Sequence, residues 1–359
     1  MRQRVGGWGA LAAATLVVAA CGTPEREVAL ERSPAVEVTT TTAPSTTTMP
    51  TTTTTAAPTT TVTTTTAPPP PTTAASPPPS TVPTVSATAV SGTRTVAPYH
   101  GFGAWLDAFD WSVTFAGERG NPVGTEAIDH MAAEGVQTLY IQATRWNSET
   151  DIIEPARLQA LIDRAHQHGI AVIGWYLPTL EDPALDLRRI LAMAALDIEG
   201  VAIDIEATNV KDIGERNRRM VALSAAIRDN LPGQAIGGIV LEPVLIEDVN
   251  PNYWPDFPWA ELKPYYDVWM PMGYWTNRTG RWRSAYTYTG TNIARVRERL
   301  GEPGALVHPI GGIGDESTTG DLREMVTAAV EQRSIGGSIY DYRTSRQEHW
   351  EILRAFRSR

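Results

Sequence analysis

Glu199-Gly200-Val201-Ala202-Ile203-Asp204-Ile205-Glu206 reads as a buried strand of small and β-branched residues that ends in two carboxylates. Strand side chains alternate between faces, so Ala202, Asp204 and Glu206 project to one side and Val201, Ile203 and Ile205 to the other. Two acids sharing one partly dry environment cannot both ionise freely. One is expected to keep its proton to higher pH, which makes it a candidate general acid near neutral pH. A DxE triplet also arises by chance, and a second one, Asp197-Ile198-Glu199, reads as the end of the preceding helix.

Working outward, the run is the fourth of eight short apolar stretches that alternate with helical patterns from about Arg94 onward. The strands are expected at His100–Asp107, Val136–Thr144, Ile170–Leu177, Val201–Glu206, Ala235–Leu241, Val268–Tyr274, Ala305–Ile310 and Gly337–Tyr342. The helices are expected near Gly124–Glu134, Pro155–His168, Pro183–Asp197, Gly214–Asn230, Pro258–Tyr265, Thr291–Leu300, Thr319–Gln332 and Arg346–Arg357. Pro155 and Pro183 stand near helix starts, and Gly135, Gly169 and Gly301 just past helix ends. Eight βα units in a segment of this size predict an α/β fold, a single (β/α)8 TIM barrel over residues 94–359. A doubly wound sheet would more usually stop at five or six strands.

The chain before the barrel has a different texture. Arg2 and Arg4 precede an apolar stretch from Val5 to Val18, the pattern of an export signal over residues 1–20. Val18-Ala19-Ala20-Cys21 resembles a bacterial lipobox, and Cys21 is the only cysteine, so no disulfide is available. The resemblance implies cleavage before Cys21, lipidation there, and a protein held at the extracellular face of the bacterial cytoplasmic membrane. After a short tether, 21–37, residues 38–93 hold no Asp, Glu, Lys or Arg and are dominated by Thr, Pro, Ala and Ser. Such a segment cannot bury enough apolar surface to offset its ordering entropy, so a disordered linker reaching on the order of 150 Å is expected. Charges ahead of it cancel, so the formal net charge of -10 belongs to the barrel. With only Lys211 and Lys263 as lysines, the barrel is a poor partner for nucleic acid.

Function in a barrel is expected at the C-terminal ends of its strands. The residues there are polar and aromatic: Trp105, Asp107 and Asp110; Gln142, Arg145 and Trp146; Trp175 and Tyr176; Glu242; Tyr274 and Trp275; His308; Tyr340 and Asp341. Five of the eleven tryptophans lie between Trp254 and Trp282, among several tyrosines. Aromatic faces with a polar tip suit stacking on a pyranose ring. Packing against helices is the alternative for any one of them, Trp269 above all. It is less persuasive for Trp254, Trp275 and Trp282, whose Pro-, Asn- and Gly-rich surroundings read as loop.

These motifs resemble the family 18 glycoside hydrolases, the chitinase and endo-N-acetylglucosaminidase group, whose fourth strand carries DGxDxDxE. Asp204 and Glu206 match its last two acids, while Glu199 and Ala202 replace the first two. Met272-Gly273-Tyr274 matches the sixth-strand Met-x-Tyr, and Gly336-Gly337 the opening of strand eight. Tyr340 stands where an aromatic is expected, and Val172-Ile173-Gly174-Trp175 departs from Ser-x-Gly-Gly. The resemblance implies Glu206 as the acid that protonates the glycosidic oxygen. It further implies that Asp204 orients the substrate's own N-acetyl group as nucleophile, with Tyr274 hydrogen-bonded to it. Trp105, Asp107, Gln142, Trp175, Tyr176, Glu242, Trp275, Tyr340 and Asp341 are the expected glycan-binding residues, in a monomer needing no cofactor or metal.

Other chemistries fit less well. A second carboxylate at strand seven, as in many retaining barrel glycosidases, is missing from His308-Pro309-Ile310, though Asp107, Glu242 and Asp341 remain possible partners for Glu206. A metal-dependent hydrolase would want histidines ending strand one, whereas His100 begins it and His166 and His168 stand two apart on a helix. The glycines Gly311, Gly312 and Gly314 after strand seven suggest a phosphate cradle, but strand eight has no matching glycine turn. The rival from another class is a non-catalytic sugar-binding barrel, for which Ala202 speaks and the retention of both Asp204 and Glu206 speaks against.

Overall fold

Eight parallel strands alternate with helices from Gly101 onward and close into a barrel. They are β1 (Gly101–Leu106), β2 (Thr138–Gln142), β3 (Ala171–Tyr176), β4 (Gly200–Ile205), β5 (Ile236–Val240), β6 (Val268–Pro271), β7 (Ile310–Ile313) and β8 (Gly336–Tyr340). The ladder runs β6-β5-β4-β3-β2-β1-β8-β7, and bridges Trp269↔Val307 and Met272↔Ile310 join the two ends. The principal helices are α1 (Thr125–Glu134), α2 (Pro155–Gln167), α3 (Pro183–Ala194), α4 (Ile213–Asn230), α5 (Trp259–Leu262), α6 (Ala285–Leu300), α7 (Thr319–Glu331) and α8 (Gln347–Leu353). The computed structural model describes residues 94–117 and 120–359. The signal segment, Cys21, the tether and the Thr/Pro-rich linker lie outside the described residues.

Local chemistry sets most boundaries. Pro155 and Pro183 occupy first-turn positions of α2 and α3, where a missing N–H costs nothing. Asp182 caps α3 by accepting from the Ala184 and Leu185 amides, Asp212 caps α4 from Glu215, and Thr318 with Asp321 forms a capping box on α7. Each such cap contributes about 1 kcal/mol. Gly135 and Gly301 end α1 and α6 in the left-handed conformation, at φ 81° and 58°.

The N-terminal end of the barrel is plugged by Tyr99, whose hydroxyl lies 2.7 Å from the Val201 carbonyl and 3.0 Å from that of Ala235. Gly200 admits it: a Cβ there would stand 2.7 Å from the Tyr99 hydroxyl. Above it, Tyr140 stacks on Trp105 at 4.4 Å between ring centroids, so the interior is a packed core.

Two elements differ most from the sequence expectation. Strand seven was expected at 305–310 but pairs as β7 from Ile310 to Ile313. Val307 and His308 do make ladder bonds, yet Pro309 has no N–H, and the register shifts between Ile310 and Ile313. Gly311 and Gly312 therefore lie inside the strand, where a Cβ would press on Met325 and Trp275 at 2.8 Å; they serve close packing, and the phosphate-cradle reading falls. Helix α6 starts at Ala285, six residues before the expected Thr291. The alternating Tyr286-Thr287-Tyr288-Thr289 has strand propensity, but Ser284 caps a helix that buries Tyr288 and Thr289 on one side.

Candidate active site

The alternation read from the sequence puts Ala202, Asp204 and Glu206 on the inner face of β4. Asp204 is buried and Glu206, just beyond the strand end, is half-buried. Trp105, 2% exposed, stacked on Tyr140 and donating to Ser338 Oγ, backs the aromatic wall of this mouth from within, with centroids 6.1 Å from Trp175 and 6.4 Å from Tyr340; Tyr340 in turn stands 6.3 Å from Tyr274 at 66°. Strands β1, β3, β4, β6 and β8 thus bring Trp105, Trp175, Asp204, Glu206, Tyr274 and Tyr340 to one end of the barrel.

The layer beneath the two acids is closely packed. Ala202 pairs with Gly237 across β4 and β5. A Cβ on Gly237 would lie 2.9 Å from the Tyr99 ring, 3.1 Å from the Met270 sulfur and 3.4 Å from the Ala202 Cβ. A carboxylate at position 202 would be desolvated there, and Ala202 fills that place without one.

A second acidic group closes the seam between β1 and β8. Asp107, Asp110 and Asp341 are buried, with carboxylate oxygens within 4.8 Å of one another. Asp107 Oδ1 accepts from the Phe109 and Asp110 amides, and Asp107 Oδ2 accepts from the Tyr340 hydroxyl at 2.8 Å. Asp110 Oδ2 accepts from the Asp107 amide, and Asp341 Oδ1 from that of Thr344. Burial, then the charges of Asp107 and Asp341, push the Asp110 carboxyl up to about 9. Among the described residues this trio is the one group whose geometry would admit a cation, but its oxygens already serve turns and the Tyr340 contact.

Several residues expected at the glycan face elsewhere. Trp275 is fully buried and packs on Gly312, and Trp254 donates its indole N–H to Asn217 Oδ1 beneath the Arg216 guanidinium. Neither ring is available for stacking. Tyr176 points outward to α3, donating to Asp186 Oδ1 at 2.6 Å. Gln142 Oε1 accepts the Ala108 amide and so fixes the turn after β1. Glu242 is turned away from solvent into a cluster with Tyr274, Arg278 and Tyr288. His308 lies in the interior with Nδ1 2.8 Å from the Tyr99 carbonyl and Nε2 3.1 Å from Ser338 Oγ. A carbonyl can only accept, so Nδ1 carries the proton, and burial holds His308 neutral down to about 4.

Two residues of the mouth were not among the expected glycan-binding residues. Tyr253, on the chain after β5, has its hydroxyl pKa raised by burial and then by the charges of Glu206, Asp204 and Glu242, which places it in the field of both candidate catalytic acids. Its position inside the aromatic-rich stretch was visible, its direction was not. Trp146, at the end of β2, is the one exposed tryptophan among the described residues, at 41%. Arg189 pins its loop by donating to the carbonyls of Arg145 and Ser148.

No protein-family profile matches the chain, and no curated protein does. Solved structures do share its fold. The spore cortex-lytic enzyme SleL of Bacillus cereus is 10% identical with a TM-score of 0.55, over 71% of this chain and 74% of that one. The exo-β-1,4-mannosidase Op5Man5 from Opitutaceae bacterium strain TAV5 is 16% identical with a TM-score of 0.54, over 74% and 60%. A class V chitinase from Pseudomonas fluorescens Pf-5 is 8% identical with a TM-score of 0.52, over 71% and 99%. At such identities the likeness establishes the (β/α)8 architecture.

Proposed function

We propose that the barrel is a glycoside hydrolase that cuts a glycan containing N-acetylhexosamine, with Glu206 as general acid. The observation that carries this reading is the placement of Asp204 and Glu206 together on the inner face at the end of β4, in a mouth walled by Trp105, Trp175, Tyr274 and Tyr340. Glu206 protonates the leaving oxygen, Asp204 orients the substrate's acetamido group, whose carbonyl oxygen attacks the anomeric carbon, and Tyr274 hydrogen-bonds that group. No protein nucleophile is required. The same fold carries glycan-cleaving enzymes among its structural neighbours, which supports a glycan substrate by fold-level analogy.

By the same reading the protein is exported, lipidated at Cys21, and held as a monomer outside a bacterial cytoplasmic membrane on the charge-free segment 38–93. The basis is the pair Arg2 and Arg4, the apolar run after them, and the lone cysteine following Val18-Ala19-Ala20.

One observation favours a second reading, a barrel that binds glycan without cutting it: Ala202, two residues before Asp204 on the same face of β4, is packed against Gly237 and carries no carboxylate. The two readings separate when the soluble domain from Arg94 onward is incubated with a panel of glycans, peptidoglycan included, and new reducing ends are measured. New ends that vanish in Glu206→Gln support the hydrolase; binding without new ends supports the second reading.

A further inference from the structure

Glu242 stands two residues past β5 and is 1% exposed, beside the half-buried Tyr274. Its Oε1 accepts from the backbone N–H of Tyr274 at 3.1 Å and from the Tyr288 hydroxyl at 3.2 Å, and Arg278 Nη2 approaches it at 3.4 Å. Arg278 Nε donates to the Tyr288 oxygen at 2.8 Å. Donors and acceptors fix the direction: arginine can only donate and a carboxylate only accept, so the Tyr288 hydroxyl takes from Arg278 and gives to Glu242.

Arg278 and Glu242 are 10% and 1% exposed, a buried ion pair of the kind that well-packed apolar residues often replace at no loss of stability. Stability alone gives no reason for charge at this place. Burial raises the Glu242 pKa, and the Arg278 charge opposes that rise. What the pair holds is the peptide that presents Tyr274. In the preceding peptide Gly273 N donates to the Ile310 carbonyl at 2.7 Å, and a Cβ on Gly273 would stand 2.8 Å from the same oxygen. The turn is therefore gripped from β5 and α6 on one side and from β7 on the other.

We infer that Glu242, with Arg278 and Tyr288, is a positioning device that sets the Tyr274 side chain at the mouth of the barrel. The inference rests on the proposed role of Tyr274 against the substrate's N-acetyl group. Glu242 itself touches no reacting atom. It acts through the Tyr274 backbone, so its loss should misplace the hydroxyl that a glycan meets.

A double-mutant cycle tests this on the glycan identified by the panel. Tyr288→Phe removes one hydroxyl and leaves the ring in place, and Glu242→Gln keeps an acceptor at Oε1 but no charge. Each is combined with Tyr274→Phe, with Glu206→Gln as control. The expected result is a several-fold fall in kcat for Tyr288→Phe and Glu242→Gln with KM little changed. Both effects should shrink toward nothing in the Tyr274→Phe background. Glu242→Met, which cannot accept, should fall at least tenfold below Glu242→Gln. Additive effects, or losses confined to KM, overturn the positioning role while leaving the acid assignment intact. Full turnover in Glu206→Gln overturns the acid assignment instead. If the barrel binds and does not cut, the cycle is read in Kd, and additivity there overturns the proposal equally.

Discussion

The Tyr340 hydroxyl donates to Asp107 Oδ2 at 2.8 Å, tying the end of β8 to the turn after β1. That bond draws a ring of the aromatic wall onto the buried trio Asp107, Asp110 and Asp341, so wall and buried acids share one seam. The seam has consequences for pH.

Asp110 keeps its proton in the folded state to about 9, against an ordinary value of 3.8, because of burial and then the charges of Asp107 and Asp341. A folded pKa above the unfolded one means that the folded state binds the extra proton; the stability is present at low pH and is lost as pH rises through that window. Asp110→Asn cannot ionise. Its unfolding free energy relative to wild type should improve steadily between about pH 5 and about pH 9, by at most about 1.4 kcal/mol per pH unit. A constant difference across that range would contradict the assignment.

His308 gives the opposite slope. Its folded pKa, lowered by burial to about 4 from 6.5, lies below the unfolded value, so protons favour the unfolded chain and stability drains away as pH falls from about 6.5 to about 4. Denaturant titrations should show wild type losing up to about 3 kcal/mol more than His308→Gln over that interval. Equal acid sensitivity in the two proteins would place the His308 proton elsewhere.

Glu206→Gln keeps the shape of the proposed general acid and cannot deliver a proton. Turnover should fall on the order of a hundredfold or more while glycan binding persists. Asp204→Asn should be impaired with a displaced pH profile, because a neighbouring charge is gone. Glycans lacking the N-acetyl group should react poorly, having no internal nucleophile.

Trp146 is 41% exposed on a loop that Arg189 holds in place, so presenting its ring costs little further ordering. Trp146→Ala should weaken binding of long glycans by about 1 kcal/mol, several-fold in Kd, with less effect on short ones. Isothermal titration with a length series checks this; an unchanged Kd throughout would remove Trp146 from the binding face.

Cys21→Ser should leave the protein unlipidated and send it to the aqueous phase in detergent partitioning. Wild type found in the aqueous phase would end the lipoprotein proposal.

The sequence alone determined the architecture and one face of one strand. Strand periodicity is local, so Val201, Ala202, Ile203, Asp204, Ile205 and Glu206 could be sorted to two faces without knowing any neighbour, and the βα count then implied closure. Only the tertiary structure decided where loop and barrel-end side chains turn. Trp275 and Tyr253 stand in the same aromatic-rich stretch, yet long-range packing against Gly312 buries the first, and the chain after β5 carries the second into the field of Glu206 and Asp204. Glu242 looked like a residue at a strand end facing substrate. Its partners Tyr274, Arg278 and Tyr288 lie more than thirty residues away, so no local pattern could show that its carboxylate closes inward. The start of β7 was lost for a related reason: Val307 and His308 have strand character, but Pro309 cannot donate, and the neighbouring strands set the register beyond it.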